Sequence, residues 1–179
     1  MERIGTGLAA GVTFAALGLM FGTPALIAAA QGDKAFVQEA ASGGKMEVQL
    51  GQYASRHALS PDVQKFGERM VNDHTRVNTQ LEKVAERESI ELPGEPNAKH
   101  AETVQRLTSL KGAEFDRAYM KAMVEDHEED VAKFRGVASS AESKQVKEFA
   151  QKTLPTLEEH LKMAKDIDAR IEKHASSVK

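Results

Sequence analysis

The sequence predicts an all-α protein built as a bundle of four long helices, and three observations carry that expectation. Downstream of Gln31 the apolar residues recur at spacings of three and four, while no segment shows the period-two alternation of a strand. Helix start and stop signals, among them Ser60-Pro61 and Leu92-Pro93-Gly94-Glu95-Pro96-Asn97, cut the chain into segments of bundle length. With 179 residues and no cysteine, the chain is large enough for one domain to bury a core and has no disulfide to staple it.

The amino-terminal segment stands apart from the rest. Arg3 and the amino terminus form a small positive region, Leu8 to Phe21 is apolar, and no charged residue occurs from Ile4 to Ala30. Ala28-Ala29-Ala30 fits the small-x-small pattern of a signal-peptidase site. Residues 1–30 are therefore read as a signal peptide and 31–179 as the bundle domain, periplasmic or otherwise exported, with a mature start at Gln31. An uncleaved anchor is the other reading, because the uncharged run reaches the roughly 20 residues a spanning helix needs. Pro24 and the glycines between Gly5 and Gly22 count against it, and no membrane span is expected after processing.

The first helix is expected from Asp33, as its N-cap, to about His57, with Phe36, Ala40, Gly43, Leu50 and Ala54 on one face. Ser60-Pro61 opens the second by setting serine at the N-cap and proline at the first helical position. Val63, Phe66, Met70, Val77, Leu81 and Val84 carry its apolar stripe to about Ser89. The Leu92 to Asn97 run cannot be helical, and a short helix from Ala98 to about Leu110 follows it. That connector covers roughly 40 Å, about the length of the helices beside it.

The third long helix spans about Ala113 to Ala138 and the fourth about Ser143 to Lys173. Pro155 lies inside the fourth, either as a kink costing about 3 kcal/mol or just after a separate helix start near Thr153. Two short turns flanking one long crossover give two hairpins, the connectivity of a ferritin-like four-helix bundle with a short extra helix between helices two and three. An up-and-down bundle with a decorated middle loop is the alternative.

Polar residues on the apolar faces are the candidate site. Glu47 sits in the middle of the first stripe, His74 takes a core position between Met70 and Val77, and His160 lies at the edge of the fourth stripe beside Leu157, Leu161 and Ala164. On the third helix His127 and Asp130 flank the stripe of Tyr119, Met123 and Phe134, with Asp126 near its other edge. Counted from the turns, all four helices bring one such group to the same height. Unpaired burial would cost several kcal/mol each, so these groups must pair with one another, with water or with a metal. His57, His100 and His174 fall at a helix end, in the connector and near the terminus, and are read as surface residues.

A short repeat links the histidines. Met70-Val71-Asn72-Asp73-His74 matches Met123-Val124-Glu125-Asp126-His127, and Thr156-Leu157-Glu158-Glu159-His160 is a looser copy. Methionine stands four residues before two of the histidines and three after the last, at Met163. Imidazole suits copper, zinc or iron and thioether selects Cu(I); the other reading makes these methionines core fillers. The net charge of -3, unchanged by removing Glu2 and Arg3, gives no case for nucleic acid or anionic lipid. Neither a nucleophile motif nor a phosphate loop occurs, and nothing points to a protein partner.

With these residues in hand, the chain resembles the DUF4142 family of exported bacterial proteins, over about Lys34 to Arg170. The segments that carry the resemblance are Lys45 to Gly51, Met70 to His74, the Tyr119 to Phe134 helix with His127, and Leu154 to Leu161 with Pro155. It implies a ferritin-like fold, a kinked fourth helix and an exported location. The Met-x-x-x-His pairs are also similar to the copper-binding, exported DUF305 proteins. Di-iron carboxylate bundles carry Glu-x-x-His on two helices, whereas Val71 and Leu157 occupy those positions here. A mononuclear, histidine-rich site fits better.

The expectation is therefore a non-catalytic bundle that binds a transition metal, copper or zinc ahead of iron, through Glu47, His74, His127 and His160, with Asp73 and Asp126 as their partners. The competing expectation is a structural or stress-response bundle whose buried acid and histidines form a metal-free network. Imidazoles more than about 8 Å apart and fully paired elsewhere would exclude a shared ion, whose bonds to nitrogen are only about 2.0 Å.

Overall fold

The computed structural model describes residues 24–177 and, among them, five helices and no strand. They are α1 (Pro24–His57), α2 (Pro61–Glu88), α3 (Ala98–Thr108), α4 (Gly112–Ser140) and α5 (Lys144–Ser177). α1 pairs along α2 and α4 along α5, the hairpins meet chiefly through α2 and α5, and α3 lies in the crossover against α1 and α4. This is the predicted hairpin, crossover, hairpin order. The apolar amino-terminal segment up to residue 23 lies outside the described residues, and the expected processing point at Gln31 falls within α1. No described helix is long and apolar enough to cross a membrane.

One predicted boundary is corrected. Asp33 is not the N-cap of the first helix, because the backbone before it is already helical, as alanine-rich sequence favours. Its carboxylate instead accepts a 2.8 Å hydrogen bond from the Ser143 N–H, and the Ser143 hydroxyl accepts from Val146 N–H at 3.2 Å. Asp33 thus fixes the start of α5 from the opposite hairpin. Asp116 does the same for α2: buried in α4, it accepts from the N–H groups of Leu59 and Ser60 at 3.0 and 2.7 Å. The helix of Pro155 runs unbroken from Lys144 to Ser177, which removes the separate start near Thr153.

His100, read from the sequence as a surface residue, is buried. The Asn97 side chain caps α3 by accepting from His100 N–H at 3.0 Å. The Ser42 hydroxyl on α1 accepts from Asn97 N–H at 2.8 Å and shares a 2.6 Å hydrogen bond with His100 Nδ1. These bonds hold α3 down on α1. His57 and His174 are exposed, as expected.

Close approach of α1 and α2 rests on glycine. A Cβ on Gly67 would stand 2.7 Å from the Gly51 carbonyl oxygen and 2.9 Å from both Ala54 Cβ and Ser55 N. Two of those three atoms are backbone and cannot swing aside. Gly67→Ala is expected to cost about 2 kcal/mol, lowering Tm by roughly 4–8 °C in a thermal melt. An unchanged melting point would show that the hairpin opens without strain.

The core has two apolar halves. One contains Leu50, Phe66, Met70, Tyr119, Met123 and Ala164. The other contains Val37, Leu81, Phe134, Phe149 and Leu157. On α2, α4 and α5 the sequence numbers of His74, His127 and His160 fall between those of the two halves, and on α1 Glu47 stands next to Met46, where the first half begins. The bundle therefore carries a polar layer at its waist, enclosed above and below by apolar side chains.

Candidate metal centre

Three imidazoles meet in that layer. His74 comes from α2, His127 from α4 and His160 from α5, and none is more than 2% exposed. His160 is thus central rather than at the edge of its stripe. Ring centroids are 5.8 Å apart for His74 and His127, 5.2 Å for His74 and His160, and 5.4 Å for His127 and His160. Each ring offers one nitrogen within 4.8 Å of those from the other two.

Every ring is oriented by one hydrogen bond. His74 Nδ1–H donates to Glu47 Oε2 at 2.8 Å, His160 Nε2–H to Asp73 Oδ2 at 2.9 Å, and His127 Nδ1–H to the Met123 carbonyl at 3.0 Å. The remaining nitrogens, His74 Nε2, His127 Nε2 and His160 Nδ1, are buried and have no hydrogen-bond partner among the described residues. Burial pushes His74 and His160 down to about 4 and His127 well below the usual imidazole range. The rings are therefore neutral at pH 7 and each keeps a lone pair on its unpartnered nitrogen.

The carboxylates divide into two kinds. Burial would raise Asp73, but hydrogen bonds from His160, Arg69 and Arg76 outweigh it and hold Asp73 down at about 2. Arg69 also reaches Glu159 on α5 at 3.1 Å, so two guanidinium groups cover this side of the layer. Glu47, 1% exposed, has no such cation beside it among the described residues. Burial first, and Asp130 second, push it well above the carboxylate range.

Glu47 Oε1 lies 3.4 Å from His127 Nε2, and Glu47, Asp126 and His127 form a second set of ligand atoms within 4.8 Å of one another. Burial likewise raises Asp126, and raises Asp130 to about 6. The geometry gives Glu47 two parts, orienting His74 through one oxygen and facing His127 with the other. A divalent cation would supply the positive charge this cluster lacks, and three neutral imidazoles with outward nitrogens held by hydrogen bonds are a donor set suited to zinc or copper.

Two features were not read from the sequence. The Tyr119 hydroxyl is buried without a hydrogen-bond partner among the described residues, and burial together with Glu47 and Asp126 raises its pKa. Tyr119 lies eight residues before His127, two turns along the same face, a spacing that could have flagged it. Asp73 was expected beside a histidine, but its partner is His160 on another helix rather than its neighbour His74. Met70 and Met123 occupy the apolar half below the layer, packed with Phe66 and Tyr119, which agrees with their reading as core fillers.

A family model described as "Domain of unknown function (DUF4142)" matches residues 22–167 of the chain. Two solved DUF305 structures share the fold. A fragment from Deinococcus radiodurans is 18% identical with a TM-score of 0.67, covering 78% of this chain and 96% of that one. A protein from Streptomyces coelicolor is 12% identical with a TM-score of 0.65, covering 79% and 94%. Identities this low speak to the fold alone. No curated protein is significantly similar to the chain.

Proposed function

We propose that this chain, which belongs to the DUF4142 family, is a non-catalytic exported protein that binds a transition metal ion, copper or zinc in preference to iron, at the waist of its bundle. His74, His127 and His160 are the ligands. Glu47 and Asp73 orient two of the rings, and Glu47 offsets the charge of the ion. One observation carries this reading: three imidazoles from three helices converge, each with its outer nitrogen hydrogen-bonded and its other nitrogen buried without a partner among the described residues.

Location rests on the charge-free amino-terminal segment with its small-x-small end, and the Streptomyces relative is described as a candidate secreted protein. The test is metal retention. The purified protein, mixed with Cu(I), Cu(II), Zn(II) or Fe(II) and desalted, is expected to keep one equivalent of copper or zinc. At a thousandfold excess over Kd the bound ion should stabilise the fold by about 4 kcal/mol. Loss of every metal on desalting would overturn the proposal.

A metal-free network is the second reading, favoured by the hydrogen bond each ring already makes within the protein. It describes a structural or stress-response bundle whose register the polar layer fixes.

A further inference from the structure

We propose that Glu47, Asp126 and His127 form an entry position for the metal, from which the ion passes to the three imidazoles. This rests on the metal reading above and adds a route to it. Two sets of potential ligand atoms lie side by side and share one residue, His127. Glu47 Oε1, Asp126 Oδ2 and His127 Nε2 are all buried atoms without a hydrogen-bond partner among the described residues, and Glu47 and His127 are almost wholly enclosed. An acidic pair with an imidazole, each offering one ligand atom within 4.8 Å of the others, is a cation position rather than a solvated charge run.

The two ends of the layer differ in access and in charge. On the α2 and α5 side, Arg69 and Arg76 close over Asp73 and repel a cation. On the α3 side, a pocket of about 110 Å³ beneath the short helix is lined by three acids, Asp126, Glu125 and Glu129, with His100, and by the cations Lys99 and Arg106. Asp126 is half-buried, so it belongs to both the pocket and the buried set. A cation entering there meets Asp126 first, then Glu47 and His127. Because His127 Nδ1 is held by the Met123 carbonyl, its Nε2 serves either position but not both. The ion moves inward by exchanging carboxylate oxygens for His74 and His160, which no step of the oxidation state accompanies.

Lys99 stands on the rim of this pocket, exposed and 3.5 Å from Glu129, and gives an independent handle. Zn(II) association and dissociation rates are measured for the full chain by stopped flow with a zinc indicator. Asp126→Asn is expected to slow both by about tenfold, leaving Kd much less changed, and Lys99→Glu to speed association severalfold. Rates equal to wild type in both variants would overturn the route while leaving the metal site standing. Unchanged association with faster dissociation in Asp126→Asn would make Asp126 part of the final site instead. If the wild-type chain takes up no Zn(II), both readings fall together.

Discussion

Replacing His74 and His160 together by alanine is expected to abolish metal retention. A structural zinc site contributes about 10–16 kcal/mol of apparent binding energy over four ligands, so each ligand carries a few kcal/mol, more than about a hundredfold in affinity. Losing two of three imidazoles therefore removes more than roughly ten-thousandfold. Glu47→Gln or Asp73→Asn should act more gently, by about 10–100-fold, because each changes how a ring is held rather than removing a nitrogen.

The same double variant tests the competing network. With both rings gone, Glu47 Oε2 loses its imidazole donor, at a cost of about 1–3 kcal/mol, while Asp73 Oδ2 loses His160 but keeps Arg69 Nε. A metal-free network predicts that loss of Tm in chelating buffer and nothing more. Metal retention equal to wild type in the double variant would sink the metal reading. Retention lost alongside a modest drop in Tm is the result expected here.

Much of this site was legible because helical periodicity converts sequence position into direction. Glu47 among small residues and His74 between Met70 and Val77 stand out once each helix is read at 3.6 residues per turn. Height along the bundle followed from counting away from the turns at Ser60 and Ser140. Periodicity says nothing about which helices touch, and there the reading failed. His100 lies in an eleven-residue helix, too short for its pattern to reveal that Ser42 on α1 would draw it inward. Asp33 looked like an N-cap because its role depends on Ser143, 110 residues away. The choice of His160 over His74 as partner of Asp73 is likewise set by how α2 packs on α5, which no local spacing encodes.

The second large effect is a pH dependence that the ion should remove. Without metal, burial holds Glu47 and Asp126 well above the usual carboxylate range and Asp130 at about 6. A carboxyl raised in the fold contributes stability below its unfolded value near 4. That contribution is lost as the pH climbs toward the folded value, because the unfolded chain sheds its proton first. The imidazoles act in the opposite sense. His74 and His160 are lowered by burial to about 4, and His127 is lowered as well, so acid protonates the unfolded chain and weakens the fold from roughly pH 6.5 down to 4. Across that interval the two groups offset each other. Above about pH 6.5 the histidines are neutral in both states and only the carboxyls remain. The metal-free protein should then lose on the order of 1.4 kcal/mol per pH unit for each carboxyl that stays protonated in the fold. A divalent ion beside Glu47 favours the carboxylate and needs neutral imidazole, so the loaded protein should hold or gain stability over the same range. Melting curves from pH 6.5 to 8.5, in chelator and in excess Zn(II), are expected to diverge. Parallel curves would uncouple Glu47 from the ion. Glu47→Gln keeps an acceptor for His74 Nδ1–H and should flatten the slope in chelator, which assigns that share of the pH dependence to Glu47 itself.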